Sequence, residues 1–176
     1  MRPSARHRAS RTLIASFALL ALPAMAVEVD GHIDPVEWQG ARHITDFRKV
    51  QPLNGEPGSL PTEAWVLSTP DGLAIAFRCI QPPAVPRTHQ RIRRDEQAQV
   101  DRVNLMVDFD DDGRTGYNFM VTLSNDINDA VITQQTQFNT DWDGNWTHAV
   151  SEDTDGWNVE MLIPWYIAPM RSAVGG

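Results

Sequence analysis

The sequence predicts an all-β chain folded as an antiparallel β-sandwich, and three observations carry that expectation. Between Asp101 and Ser124, Val103, Leu105, Val107 and Phe109 alternate with Asn104, Met106 and Asp108. After Asp110-Asp111-Asp112-Gly113, Tyr117, Phe119, Val121 and Leu123 repeat the alternation with Asn118, Met120 and Thr122. Period two is the strand signal and Asp and Gly close turns, so this stretch reads as a hairpin with carboxylates at its tip. Second, roughly eight short segments of strand character are separated by Gly, Pro and Asp turns, the pattern of a sandwich. Third, no segment sustains a 3.6-residue period and no repeat of fixed length is visible.

The chain has 176 residues, 12 of them Pro and 11 Gly, room for one domain with its own core. Residues 1–26 read as a secretory signal peptide: Arg2, Arg6, Arg8 and Arg11 form a basic start, Leu13 to Leu22 an apolar run, and Ala24-Met25-Ala26 a cleavage site. The run is too short to cross a membrane. The peptide carries 4 of the 15 basic residues and none of the 23 acidic ones, so the mature chain carries 11 basic against 23 acidic, a net −12. That balance disfavours nucleic acid and anionic membrane as partners, and no membrane insertion is expected of this domain. It suits neutral ligands, cations or plain solubility.

In chain order, Asp34-Pro35 with Glu37 predicts a capped helical turn or two through Ala41, pointing Trp38 inward. Asp46 to Val50 reads as a short strand and Pro52 to Pro61 as an exposed loop. Thr62 to Thr69 and Leu73 to Ile80 are strands joined by Pro70-Asp71-Gly72. The second, nearly continuously apolar and broken only by Arg78, reads as central and covered on both faces. Cys79 in that run reads as a small buried hydrophobe, with an intermolecular bridge or a reactive thiol as the alternative. The polar stretch from Gln81 to Gln99 holds Arg87, Arg91, Arg93 and Arg94, expected as a solvated loop of surface ion pairs. Ala130 to Phe138, His148 to Glu152 and Trp157 to Ile163 complete the strands, the last two joined by Asp153-Thr154-Asp155-Gly156.

The order of several short motifs resembles family 9 carbohydrate-binding modules, which are DOMON-like β-sandwiches. These motifs are Val29-Asp30-Gly31-His32-Ile33-Asp34 with Trp38, Thr62-Glu63-Ala64-Trp65-Val66, Asp101-Arg102-Val103, and Asp155-Gly156-Trp157 running to Ile163-Pro164-Trp165. Asp112-Gly113-Arg114 with Tyr117 and Phe119 looks closest to the variant that precedes predicted outer-membrane barrels of Gram-negative bacteria. The resemblance spans 27–170. It implies an exported domain, periplasmic or associated with the outer membrane, that binds a glycan and belongs to a carbohydrate-catabolic or envelope protein. An outer-membrane barrel in a longer parent is the implied partner. Two departures qualify it. Sugar-binding members place a tryptophan where this chain has Glu96-Gln97-Ala98-Gln99, and they continue beyond the irregular tail 171–176 into another strand. The expected sandwich therefore lacks its last strand.

Three readings of function follow. The first is a non-catalytic carbohydrate-binding domain. The second is a periplasmic interaction or plug-like module without sugar binding, and the third a glycosyl hydrolase accessory or hydrolase fragment. No nucleophile elbow, zinc helix, C-x-x-C or phosphate loop is present. Trp65, Trp142 and Trp146 are the candidate stacking platforms, since they border polar stretches or share a strand of ambiguous facing, and Asn118 is a candidate hydrogen-bonding partner. Asp108, Asp110 and Asp112 before Gly113, and Asn139, Asp141 and Asp143 before Gly144, match the opening of a calcium loop, in which alternate oxygens converge on a cation. Phe119 and Val150 stand where an EF-hand has its bidentate Glu, so calcium, if held, is held weakly, at roughly 10⁻⁴ to 10⁻³ M.

Overall fold

The computed structural model describes residues 26–96 and 98–170. Residues 1–25, which hold all but the last residue of the expected signal peptide, lie outside the described residues, as do Gln97 and the tail 171–176. In chain order the strands are β1 Arg42–Ile44, β2 Thr62–Ser68, β3 Gly72–Ile80, β4 Arg102–Val107 and β5 Thr115–Thr122. Then come β6 Ile127–Thr133, β7 Gln137–Asn139, β8 Thr147–Glu152 and β9 Gly156–Pro164, ending in a 3-10 turn at Trp165–Ile167. One sheet runs β1-β2-β3-β9-β8 and the other β4-β5-β6-β7, with every pairing antiparallel. The chain is an antiparallel β-sandwich.

The alternation in the sequence sets the layers. Val103, Leu105 and Val107 on β4 face Val121, Phe119 and Tyr117 on β5 across the ladder. All of these but Val107 meet Ala64, Ile75, Phe77, Val159, Met161 and Ile163 from the other sheet in one core. β3 is the middle strand of its sheet, and Ala74, Ile75 and Ala76 are all but inaccessible. It is covered on both faces because residues 27–41 lie over its outer side, where Trp38, Ala74 and Ala76 form a second small core with Ile33, Trp65 and Leu162. Cys79 is a free thiol that burial pushes up to about 12, so it is kept protonated and poorly nucleophilic.

Four local expectations are corrected. No helix forms at Asp34: its Oδ1 accepts the Val36 N–H at 2.8 Å as a cap should, but Gly40 at φ +85° ends the turn. Glu37 does not close the box and instead accepts the N–H of Glu28 at 3.3 Å. The first strand is Arg42–Ile44 rather than 46–50, because there Ile44 reaches the core, whereas Lys49 pairs with Glu56 in a small hairpin of its own. The single strand expected over 130–138 is two, β6 and β7, reversed through Gln134 (φ 51°) and Gln135 (φ 65°).

The fourth correction concerns Arg87, Arg91 and Arg94, which tie the loop down, whereas Arg93 is exposed and pairs with Glu96 at 3.9 Å as expected. Arg87, with its side chain 14% exposed, donates to the carbonyls of Gln81, Asp153 and Thr154. Arg91 pairs with buried Asp126 at 2.8 Å. Arg94 reaches Asp129, which is fully buried and also accepts the Gly144 N–H and the Trp146 indole N–H. A charge-assisted bond to a buried carboxylate such as Asp126 or Asp129 is worth more than a pair between two exposed groups.

Candidate binding cleft

The outward residues of the five-stranded sheet fall in rows across the strands. One row reads Glu63, Arg78, Asn158, Ser151, and the next His43, Trp65, Ala76, Glu160, Ala149. Residues 27–41 cross the second row and are seated on Glu160. This carboxylate is fully buried and accepts the N–H of Gly31 at 2.9 Å, of Asp30 at 3.1 Å and the indole N–H of Trp38 at 3.0 Å. Burial pushes the Glu160 carboxyl above its ordinary range, and the three donors pull it partly back. Gly31 fits because a side chain there would meet the Val150 backbone at 2.9 Å, and because its φ is +88°.

Between this covering segment and the exposed part of the sheet lies a cleft of about 490 Å³, within the usual size of small-ligand sites. Ile33, Pro35, Trp38 and Trp65 give it apolar walls, and Arg78, Asn158 and Asp153 give it polar ones. The polar side is pre-organised. Arg78 forms two bonds to Asp153, Nη2 to Oδ1 at 2.9 Å and Nη1 to Oδ2 at 2.7 Å, and Nη1 also donates to Asn158 Oδ1 at 3.2 Å. Asn158 Nδ2 in turn donates to Ser151 Oγ at 3.2 Å, and that hydroxyl donates to the carbonyl of Gly31. The chain of bonds links the β8–β9 turn, three strands and the covering segment. The Arg78 hydrogen bond, helped by the N–H groups of Asp155 and Gly156, holds the Asp153 carboxyl down at about 2. The pair is thus zwitterionic across the ordinary pH range.

What remains open for a ligand follows from counting valences. Among the described residues Arg78 keeps its Nε–H and one Nη2–H, and Asp153 Oδ2 and Asn158 Oδ1 each keep an acceptor lone pair. The tryptophans divide in the same way. The indole N–H groups of Trp38, Trp146, Trp157 and Trp165 are bonded to Glu160, Asp129, Gln81 and the Thr69 carbonyl. Those of Trp65 and Trp142 have no acceptor among the described residues.

Of the residues singled out from the sequence, Trp65 alone lines this cleft. Trp146 is buried in the main core against Phe119, its centroid 5.3 Å away. Trp142 is half-buried and meets Tyr117 and Phe119 edge-on at 5.2 and 6.1 Å. Asn118 is buried on β5 and accepts from Asn104 at 3.2 Å. In the first acidic loop Asp108 accepts the N–H groups of Asp110 and Gly113, and Asp112 accepts that of Arg114. In the second, Asn139 accepts the N–H of Asp141, and Asp143 pairs with Arg94 at 2.8 Å. Among the described residues no group of three or more His, Cys, Asp or Glu is arranged to hold a metal ion.

The sequence reading missed Arg78, Asn158 and Asp153 as site residues. A signal was there: Arg78 alone interrupts the apolar run of β3, Asn158 and Glu160 interrupt that of β9, and the register sets Arg78 and Asn158 opposite each other. Comparison of the chain with protein-family models, with curated proteins and with solved structures finds no match.

Proposed function

We propose that this chain is a non-catalytic carbohydrate-binding domain whose ligand is a neutral sugar seated in the outer cleft. The observation that carries the reading is Trp65: the cleft-lining tryptophan whose ring is half-exposed and whose N–H is unbonded among the described residues. A sugar ring presents an apolar face of C–H groups edged by hydroxyls that each donate and accept. Trp65 supplies the flat apolar wall, and the Arg78 donor beside the Asp153 and Asn158 acceptors matches adjacent hydroxyls. The bound Arg78–Asp153 pair leaves no uncompensated charge between those two groups, which suits a neutral ligand. Asp153 is committed to Arg78 and two backbone N–H groups, and Glu160 is enclosed under Trp38, so the cleft's chemistry favours binding over bond cleavage.

Titrating the full chain with a panel of soluble neutral oligosaccharides, read by tryptophan fluorescence and calorimetry, tests this. Saturable binding is expected, weakened about thirtyfold or more by Trp65→Ala, the scale of loss when a central tryptophan is removed from an interface. Binding that survives Trp65→Ala unchanged, or no binding by a sample that circular dichroism shows to be folded, defeats the proposal.

One observation favours the interaction-module reading. The hairpin at 48–57 holds Val50 and Leu53 out at 74% and 88% exposure. If that tip is the functional surface, Leu53→Ser abolishes association with the parent barrel and leaves sugar titrations flat throughout.

A further inference from the structure

Trp38, Trp146, Trp157 and Trp165 are each fixed by an indole hydrogen bond, and Trp65 is not. Its ring is set by packing alone, on the small core of Trp38, Ala74 and Ala76 and on a second ring. Its neighbour across the ladder on β1 is His43, and the two rings stack with centroids 4.6 Å apart and planes 11° from parallel. On the other side the ladder neighbour is Ala76, whose methyl belongs to the small core that Trp65 borders. His43 is itself held: its Nε2 lies 2.7 Å from Glu63 Oε2, and Glu63 stands two residues before Trp65 on the same face of β2. One face of the indole is therefore backed by an imidazole whose own plane is anchored by a carboxylate.

We infer that His43 and Glu63 are positioning residues for the sugar-stacking ring, fixing Trp65 upright so that one face is presented to the cleft. The inference rests on the reading of the cleft as a sugar site. It explains why an exposed edge strand of three residues carries a histidine at the one position opposite Trp65. A ring that is already ordered loses less rotamer freedom when the ligand arrives, so affinity gained this way comes from pre-organisation. Neither His43 nor Glu63 needs to touch the sugar.

The test compares the full-length wild type with His43→Ala, His43→Phe and Glu63→Ala, using calorimetry with whichever neutral oligosaccharide the wild type binds. His43→Ala should weaken binding about three- to tenfold, the range an aromatic pair's contribution spans. His43→Phe should restore it to within about twofold, since it keeps the stack and drops the imidazole nitrogens. Glu63→Ala, a change at a half-buried surface site, should fall between them, and it keeps the test decisive if His43→Ala does not fold. Wild-type affinity in both alanine variants overturns the inference and leaves the sugar site standing. So does equal weakening in His43→Phe and His43→Ala, which would mean that stacking is not what counts. No sugar binding by the folded wild type overturns the site and this inference together.

Discussion

Asp153 and Glu160 are carboxylates of one hairpin pushed in opposite directions. Asp153, held down at about 2 by Arg78, stabilises the fold above its ordinary carboxylate value, and that contribution is lost as pH falls through about 2. Glu160, pushed up by burial, has the opposite sign: its contribution is complete below the ordinary range and is lost as pH rises through its raised value. Urea midpoints measured from pH 2 to 8 should separate the two. Asp153→Asn should cost stability near neutrality, with the gap from wild type closing toward pH 2; a constant gap would show that charge at Asp153 is not the cause. Composition reveals none of this, because all 23 acidic residues look alike until burial and donors are assigned to each.

At the scale of elements, β3 and β9 show where the sequence was informative. Their apolar runs, bounded by Asp-Gly turns, were legible, and they pair from Gly72 opposite Pro164 to Ile80 opposite Gly156. The need for glycine at those corners was not legible, since it comes from close approach of a strand far along the chain. A Cβ on Gly156 would lie 2.1 Å from the Cys79 carbonyl oxygen, and one on Gly72 2.2 Å from that of Ile163. Gly156→Ala should therefore destabilise by roughly 1–3 kcal/mol, toward the upper end because backbone cannot yield as a side chain can. A thermal midpoint equal to wild type would refute the clash. The β6–β7 reversal was missed for a different reason: Gln134 and Gln135 adopt positive φ without being turn formers. Replacing them with Asn-Gly should stabilise the chain by about 0.5–1 kcal/mol, measurable as a raised urea midpoint.

For the whole molecule, period-two alternation was enough to specify a sandwich because one face of each strand must be buried. The alternation does not say what covers the other face. That is why Trp38, read simply as a core anchor, sits in a second core under residues 27–41, and why the cleft beside it was invisible in one dimension. Trp65 was among the candidates because its facing was ambiguous; Trp142 and Trp146 looked exposed because their neighbours are polar. Those polar neighbours are indeed exposed, but the rings themselves turn inward, where Asp129 accepts the Trp146 indole N–H and pairs with Arg94.

Trp38 meets Glu160 across 122 positions of chain, and Arg78 meets Asn158 across 80. A nascent polypeptide emerging amino end first therefore carries Ile33, Pro35, Trp38 and Trp65 long before it has the strand that seats them. Until residues 153–164 arrive, the first tryptophan has no acceptor and the arginine has neither of its partners, so the polar wall of the cleft is not yet built. Completion of the cleft and completion of the central sheet are the same event in the history of the molecule.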